Sequence, residues 1–325
     1  MKEYTVSDRE AGLTLIKYSA RVLKEAPNSL LHKFLRNKNI ELNGRKADSG
    51  SVIQAGDKVL FFLSDETFEK FHGLSEEEGY RSDGFGKCAD DKGNQAIRLE
   101  SDRILYEDED YLFYDKPAGI RSQSDGSGRL SFNDLLLAYL EYDSEDIIKP
   151  SICNRLDTNT SGIVLCGKSA KGLQSLNQAI KSRKVRKYYR GIAAGYIKED
   201  KHLVSFMDNS DSENKVVISD THKHGYKEVI TDVRVIERGR LATYAEFDLI
   251  TGRKHQIRAQ MAHIGHPLIG DMKYGKKLPG LNFARRQMLH AYRVELPDDI
   301  LMGMTVFAPI PKDMEECMIK TGISV

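Results

Sequence analysis

The sequence predicts a mixed α+β protein with a small, separate α/β unit at its N-terminus. Three observations carry that prediction. Strand and helix patterns follow one another in no regular order after residue 102, which disfavours a repeating βαβ fold. The first 70 residues read as a closed helix–helix–strand–turn–strand unit, and an acidic, glycine-rich stretch separates the two parts. A chain of 325 residues has room for two domains at the usual ~150 residues each. The expected boundaries are 1–70, 71–100 and 101–325.

In chain order, apolar residues recur at helical spacing over 13–23, and Ser29 is the candidate N-cap of a second helix over 30–36. Ile40-Glu41-Leu42 alternates like a strand and runs into Asn43-Gly44, a strong tight-turn signal. Gly56-Asp57 then precedes a second strand at 58–62. Residues 64–98 are acidic and glycine-rich with few apolar anchors, the composition of a flexible linker. Gly84-x-Gly86 within it is no nucleotide signal, because no strand precedes it and no G-K-[ST] follows. Beyond the linker, strands are expected at 111–114, 162–166, 188–194, 242–249 and 305–308. Ser131 and Ser169 are placed to cap two helices, and a third covers 255–264 with Gly265 as its stop.

Composition removes several function classes. No apolar run reaches the ~18–20 residues needed to cross a bilayer, and the polar Met1-Lys2-Glu3-Tyr4 start lacks a signal-peptide core. A cytoplasmic protein is expected, with a monomer as the default. The four cysteines, Cys88, Cys153, Cys166 and Cys317, are too scattered for a C-x-x-C motif and read as reduced structural thiols. His222-x-His224 and His263-x-x-His266 have no companion ligand motif, so no metal is expected.

The net charge of +1 conceals segregation. Residues 17–46 carry eight Lys/Arg against Glu25 and Glu41, residues 181–190 carry six with no acid, and residues 253–286 carry eight against Asp271 alone. Residues 73–110 hold twelve acids against five bases. Any one basic run is as readily a solvated face, but three together point to a polyanion partner.

Four short segments have the residue types that chemistry needs. Arg155 and Asp157 are two apart, so in an extended segment they project to one side. An isolated Arg-x-Asp is most often a structural ion pair. Asp115-Lys116-Pro117-Ala118-Gly119 forms a turn that leaves a cation beside any adjacent cleft. Tyr188-Tyr189 on a strand sends one ring inward. Gly252-Arg253-Lys254-His255 turns from a strand into the helix bearing Arg258.

The string Asn154-Arg155-Leu156-Asp157-Thr158-Asn159-Thr160-Ser161-Gly162 resembles the H-R-L-D-x-x-T-S-G signature of the RluA family of RNA pseudouridine synthases, with Asn154 where that family usually has histidine. The turn at Asp115 resembles the family's D-K-P-x-G block, and the segment from Lys187 to Gly195 its K-x-Y-x-A-x-V-x-G block. Leu249-Ile250-Thr251-Gly252-Arg253-Lys254-His255-Gln256-Ile257-Arg258 resembles its L-x-T-G-R-x-H-Q-I-R block. The first 70 residues resemble the alpha-L RNA-binding motif.

The resemblance implies a mainly antiparallel central sheet with flanking helices and an RNA-binding cleft. It implies isomerisation of uridine in RNA without cofactor or metal. Asp157 is then the nucleophile, Arg155 the wedge that fills the gap left by a flipped base, Tyr189 the ring against that base, and Arg258 the partner of Asp157. A guanidinium there favours the charged carboxylate. RNA contacts fall on Lys33, Arg36, Lys38, Arg45 and Lys46 in the N-terminal module and on Lys116, Arg253 and His255 in the catalytic domain. Ribosomal RNA of the large subunit is the expected substrate. Transfer RNA, and a non-catalytic RNA-binding or ribosome-assembly role, are the alternatives. A glycosidic hydrolase using Asp271 as second carboxylate needs the pair about 5–9.5 Å apart, and the residues around Asp271 declare no such geometry.

Overall fold

The computed structural model describes residues 1–72, 99–126, 128–143, 146–208, 215–275, 281 and 283–324. The expected linker therefore falls, from 73 to 98, outside the described residues, as does Cys88.

The N-terminal unit runs β1 (Lys2–Thr5), α1 (Leu15–Val22), α2 (Asn28–Arg36), β2 (Ile40–Leu42), β3 (Lys58–Phe61) and α3 (Asp65–His72). Its sheet has the order β1-β3-β2, antiparallel throughout. Asn43 and Gly44 both take positive φ, 53° and 70°, as the tight turn requires. Ser29 is not the N-cap of α2. Pro27 is, with φ −57°, because a proline fixes helical φ and lacks the N–H that a first turn leaves unpaired. The stretch with linker-like composition from 64 opens on a helix. Residues 65–72 form α3, whose Phe68 is buried and meets Phe61 edge-on at 5.8 Å.

The remainder is one large sheet with helices on both faces. Its elements are β4 (Ile104–Glu107), β5 (Tyr111–Lys116), α4 (Phe132–Tyr139), β6 (Ser151–Ile152), β7 (Ser161–Gly167), α5 (Ala170–Lys181) and β8 (Arg186–Ala194). Then come β9 (Lys201–Asp208), β10 (Val217–Ser219), β11 (Lys227–Arg238), β12 (Ala242–Leu249), α6 (Gln256–His263), β13 (Leu289–Glu295), β14 (Thr305–Phe307) and α7 (Lys312–Thr321). The strand order is β10-β9-β11-β12-β8-β13-β7-β5-β4, with β14 on β13 and β6 on β7. Only β13 and β7 run parallel among the paired strands described, so the sheet is mixed and mainly antiparallel.

Local chemistry explains the helix starts. Ser131 and Asp134 form a reciprocal capping box on α4, and Ser169 Oγ accepts from Gly172 N–H on α5. Alternation along β7 sends Val164 and Cys166 to one face and Ile163 and Leu165 to the other. On the first face α4 and α6 add Phe132, Leu136, Ile257 and Met261 to the core. On the second, α5 adds Leu176 and Ala179. The N-terminal unit docks against this body: Ile148 and Ala170 belong to its apolar cluster, and Ala170 N–H donates to Arg9 C=O at 2.7 Å.

Candidate active site

The loop between β6 and β7 lies on the face covered by α6, at the floor of a cleft of about 810 Å³. Its backbone is tied down from several directions. Ser122 Oγ donates to Leu156 C=O at 2.7 Å and accepts Leu156 N–H at 2.9 Å. Gly119 N–H donates to Thr158 C=O at 2.8 Å, and Arg286 Nη1 to Asn159 C=O at 3.3 Å. The hydroxyls of Thr160 and Ser161 pair with Gln287 at 3.2 Å and His290 at 2.9 Å. Gly162 then enters β7 at φ 113°, and a Cβ there would lie 2.2 Å from Ala291 C=O. Only glycine fits that crossing.

Asn154 is buried, with both amide groups used on β7. Its Nδ2 donates to Ile163 C=O at 3.2 Å, and its Oδ1 accepts Leu165 N–H at 2.7 Å. It lines the cleft's wall and anchors the loop's start to the sheet, with its amide committed to backbone.

Asp157, Arg155, Tyr189, Arg258, Arg253 and His255 line the cleft together. Arg258, in the first turn of α6, donates from Nη1 to Asp157 Oδ2 at 2.8 Å. Its other edge grips Asp271 as a fork, Nε to Oδ2 at 2.7 Å and Nη2 to Oδ1 at 2.9 Å. Burial opposes the charge on Arg258, but the two carboxylates outweigh it and raise its pKa above the ordinary value. Asp271 is likewise held below the usual carboxylate range: Arg258 and the N–H groups of Tyr274 and Lys273 offset its burial. Asp271 is thus fully engaged and is no second catalytic carboxylate.

Only one oxygen of Asp157 is held this way. Oδ2 takes Arg258 and faces His255 Nε2 at 3.8 Å, while Oδ1 has no partner among the described residues. Arg155 is exposed at the cleft and makes no hydrogen bond or ion pair among the described residues. Tyr189 lies on the cleft face of β8, buried, its hydroxyl pKa raised by burial and then by Asp157. Both tyrosines of the pair turn out buried. Tyr188 points to the opposite face, where its hydroxyl donates to Glu295 and the Arg293 guanidinium lies 3.7 Å from its ring.

Lys116 does not reach RNA. It is fully buried, and its ammonium donates to the carbonyls of Pro117 at 2.8 Å, Ile120 at 2.9 Å and Thr158 at 3.4 Å. Burial, then Arg286, lowers its pKa to about 7. It is a strut beneath the loop. Lys33, Arg36, Lys38, Arg45 and Lys46 lie away from the cleft, all exposed on α2, the turn after it and the β2–β3 connection, and without ion pairs among the described residues.

Sequence reasoning missed three residues. Asp271 shares Arg258, and the available signal was a single acid in a run of eight bases. Tyr274 bonds His255 Nδ1 at 2.9 Å. Lys187 lines the cleft on the same face of β8 as Tyr189 and has no partner among the described residues; burial lowers its pKa.

A buried guanidinium steering one carboxylate and a tyrosine ring beside it thus line one open, basic cleft. Residues 110–263 match the family model described as RNA pseudouridylate synthase. Ribosomal large subunit pseudouridine synthase C of Pasteurella multocida is 31% identical over 85% of this chain and 79% of its own. The like-named protein of Rickettsia felis is 29% identical over 88% of this chain and 89% of its own. The solved structure of human RNA pseudouridylate synthase domain containing 1 matches with a TM-score of 0.56 at 24% identity, over 68% of this chain and 90% of that one. The chain therefore belongs to the RluA family of RNA pseudouridine synthases, isomerases that convert uridine in RNA to pseudouridine.

Proposed function

We propose that the chain isomerises a uridine of large-subunit ribosomal RNA, with Asp157 as the catalytic carboxylate. The carrying observation is the asymmetry of that carboxylate: Oδ2 is held by Arg258 at 2.8 Å, and Oδ1 is left to the cleft. The substrate reading rests on the relatives whose names specify the ribosomal large subunit.

The target uridine leaves its stack, at a cost of a few kcal/mol, to enter the cleft. Arg155, unpaired at the cleft, fills the vacated position. Tyr189 packs against the base, a contact of ~1–3 kcal/mol on the stacking scale. Asp157 then either attacks the nucleotide covalently or assists elimination of the base from the ribose. In both routes the N1–C1′ bond breaks, the uracil turns, and C5 bonds to C1′. The proton on C5 leaves and N1 regains one, so RNA mass is unchanged. Lys33, Arg36, Lys38, Arg45 and Lys46 serve as a second, alpha-L-type contact with RNA phosphates, while Arg253 serves the strand at the cleft.

The test is incubation of purified protein with unmodified large-subunit ribosomal RNA and with transfer RNA, followed by mapping with a pseudouridine-specific chemical label. Conversion of ribosomal uridines that Asp157→Ala abolishes is the expected result. Conversion confined to transfer RNA would overturn the substrate, and equal conversion by Asp157→Ala would overturn the mechanism.

A further inference from the structure

His255 stands just before α6 at its N-cap, with φ 59°. A side chain in this left-handed region is uncommon and carries a conformational cost. Here it swings the imidazole off the helix axis into the cleft, between Tyr274 and Asp157. The ring nitrogens then face two different groups: Nδ1 lies 2.9 Å from Tyr274 Oη and Nε2 3.8 Å from Asp157 Oδ2.

We propose that His255 is a positioning residue for Asp157, locked by Tyr274 in the tautomer that carries its proton on Nε2. Both ends of the ring select that tautomer. Tyr274 Oη already accepts Val216 N–H at 3.0 Å, and its own proton has His255 Nδ1 as acceptor. An imidazole that accepts at Nδ1 must carry its single proton on Nε2. The reverse tautomer would turn a nitrogen lone pair toward a carboxylate oxygen and strand the tyrosine proton. Burial, which lowers the pKa of His255 to about 4, keeps the ring neutral.

The consequence falls on the carboxylate. Arg258 Nη1 and the His255 Nε2–H converge on the same oxygen, Oδ2, from the N-cap and first turn of one helix. A carboxylate held by one N–H can pivot about it; a second N–H dipole aimed at the same oxygen restrains that pivot and so the direction of Oδ1. At 3.8 Å the imidazole contact is longer than a hydrogen bond, so it acts by field and orientation. The chain of contacts ends at Val216, the residue preceding β10, which ties Oδ2 to the outer edge of the sheet and leaves Oδ1 to the cleft.

This inference rests on the reading of Asp157 given above, and its test separates the two. Long-range ¹H–¹⁵N spectra of histidine-labelled full-length protein report the tautomer without turnover. Wild type should show an unprotonated Nδ1 and a protonated Nε2, and Tyr274→Phe a mixture of tautomers. In kinetics on the RNA substrate, Tyr274→Phe should lower kcat about ten- to a hundredfold at unchanged KM, the scale of a slightly misplaced reacting group. His255→Gln presents an amide N–H that has no tautomer to choose. In that background Tyr274→Phe should cost nothing further. A wild-type proton on Nδ1, or an equal loss from Tyr274→Phe in the His255→Gln background, would overturn the proposal. Should Tyr274→Phe fail to fold, the wild-type spectrum alone decides. An active Asp157→Ala would instead overturn the catalytic reading while leaving the tautomer assignment standing.

Discussion

Glu246 and Asp157 lie on opposite sides of the central sheet, and both are carboxylates held by arginine. On β12, Glu246 is saturated. Its Oε1 takes the Nε and Nη2 of Arg234 at 3.1 and 2.8 Å, and its Oε2 takes the Tyr292 hydroxyl with Arg190 Nη2 at 3.2 Å. Burial works against its charge, but Tyr292, Arg190 and Arg234 outweigh it and lower its pKa. Across the sheet, Asp157 has one oxygen engaged and one open to the cleft. The same residue types thus give a clamp with both oxygens engaged on one face and a carboxylate with one oxygen left to the cleft on the other. An arginine–carboxylate pair by itself distinguishes nothing; its completeness does.

The largest expected effect separates the two sides outright. Asp157→Asn keeps the shape of the loop and removes the charge, so activity should fall on the order of 10⁴-fold or more, as for loss of a nucleophile. RNA affinity, measured by filter binding, should change little. Glu246→Gln should leave kcat unchanged. If it abolishes catalysis, the distinction between a saturated and an open carboxylate fails.

Arg258 comes next, because it belongs to both kinds of site at once. Arg258→Met leaves Asp271 buried and uncompensated, a cost of about 3–5 kcal/mol, and also frees Asp157. Thermal or urea unfolding should show the loss, together with near-complete inactivation. Asp271→Asn should destabilise in the same direction and reduce kcat through a loosened Arg258. Full activity in that variant would mean that the fork does not aim the guanidinium. On the far face, Glu246→Gln should cost ~1–3 kcal/mol, the scale for an unpaired buried polar group.

How much of this was legible in the sequence follows from what each feature depends on. Capping by Ser131 and Ser169, the Asn43-Gly44 turn and β12 were readable because local chemistry alone decides them. The strands β9 and β11 were not: their burial alternates, but adjacent apolar pairs such as Leu203-Val204, Val229-Ile230 and Val235-Ile236 put hydrophobic residues on both faces and blur the period in the sequence. The helix α3 was hidden in an acid-rich stretch whose only buried anchor is Phe68. At the site, the pairing of Arg258 with Asp157 came through motif resemblance, not through spacing. Lys116 was misread because a sequence displays a charge but not its burial. Tyr274 and Asp271 act through contacts across a turn, which one-dimensional periodicity does not encode.

A smaller effect is expected where the open cleft meets the RNA backbone. Lys187 shares the Tyr189 face of β8 and has no anionic partner among the described residues, a poor arrangement for a cation unless a phosphate completes it. Lys187→Met should raise KM, leave the Asp157-dependent step intact, and reduce the salt slope of RNA binding by about 1. An unchanged slope would assign the lysine to packing.

The smallest effect should come from the position that departs from the family signature. Asn154 spans Ile163 C=O and Leu165 N–H with the two ends of one amide, at 3.2 and 2.7 Å. A neutral imidazole also has one donor and one acceptor, but its ring points them in diverging directions. Asn154→His should therefore retain at least one of the two bonds and lose at most about 1–3 kcal/mol of stability, with kcat per folded molecule nearly unchanged. Asn154→Ala strands both backbone groups and should lower stability further while still turning over. Were either variant folded but inactive, Asn154 would act on the open carboxylate itself, and the boundary between the anchored base of the loop and its reactive tip would have to move to include it.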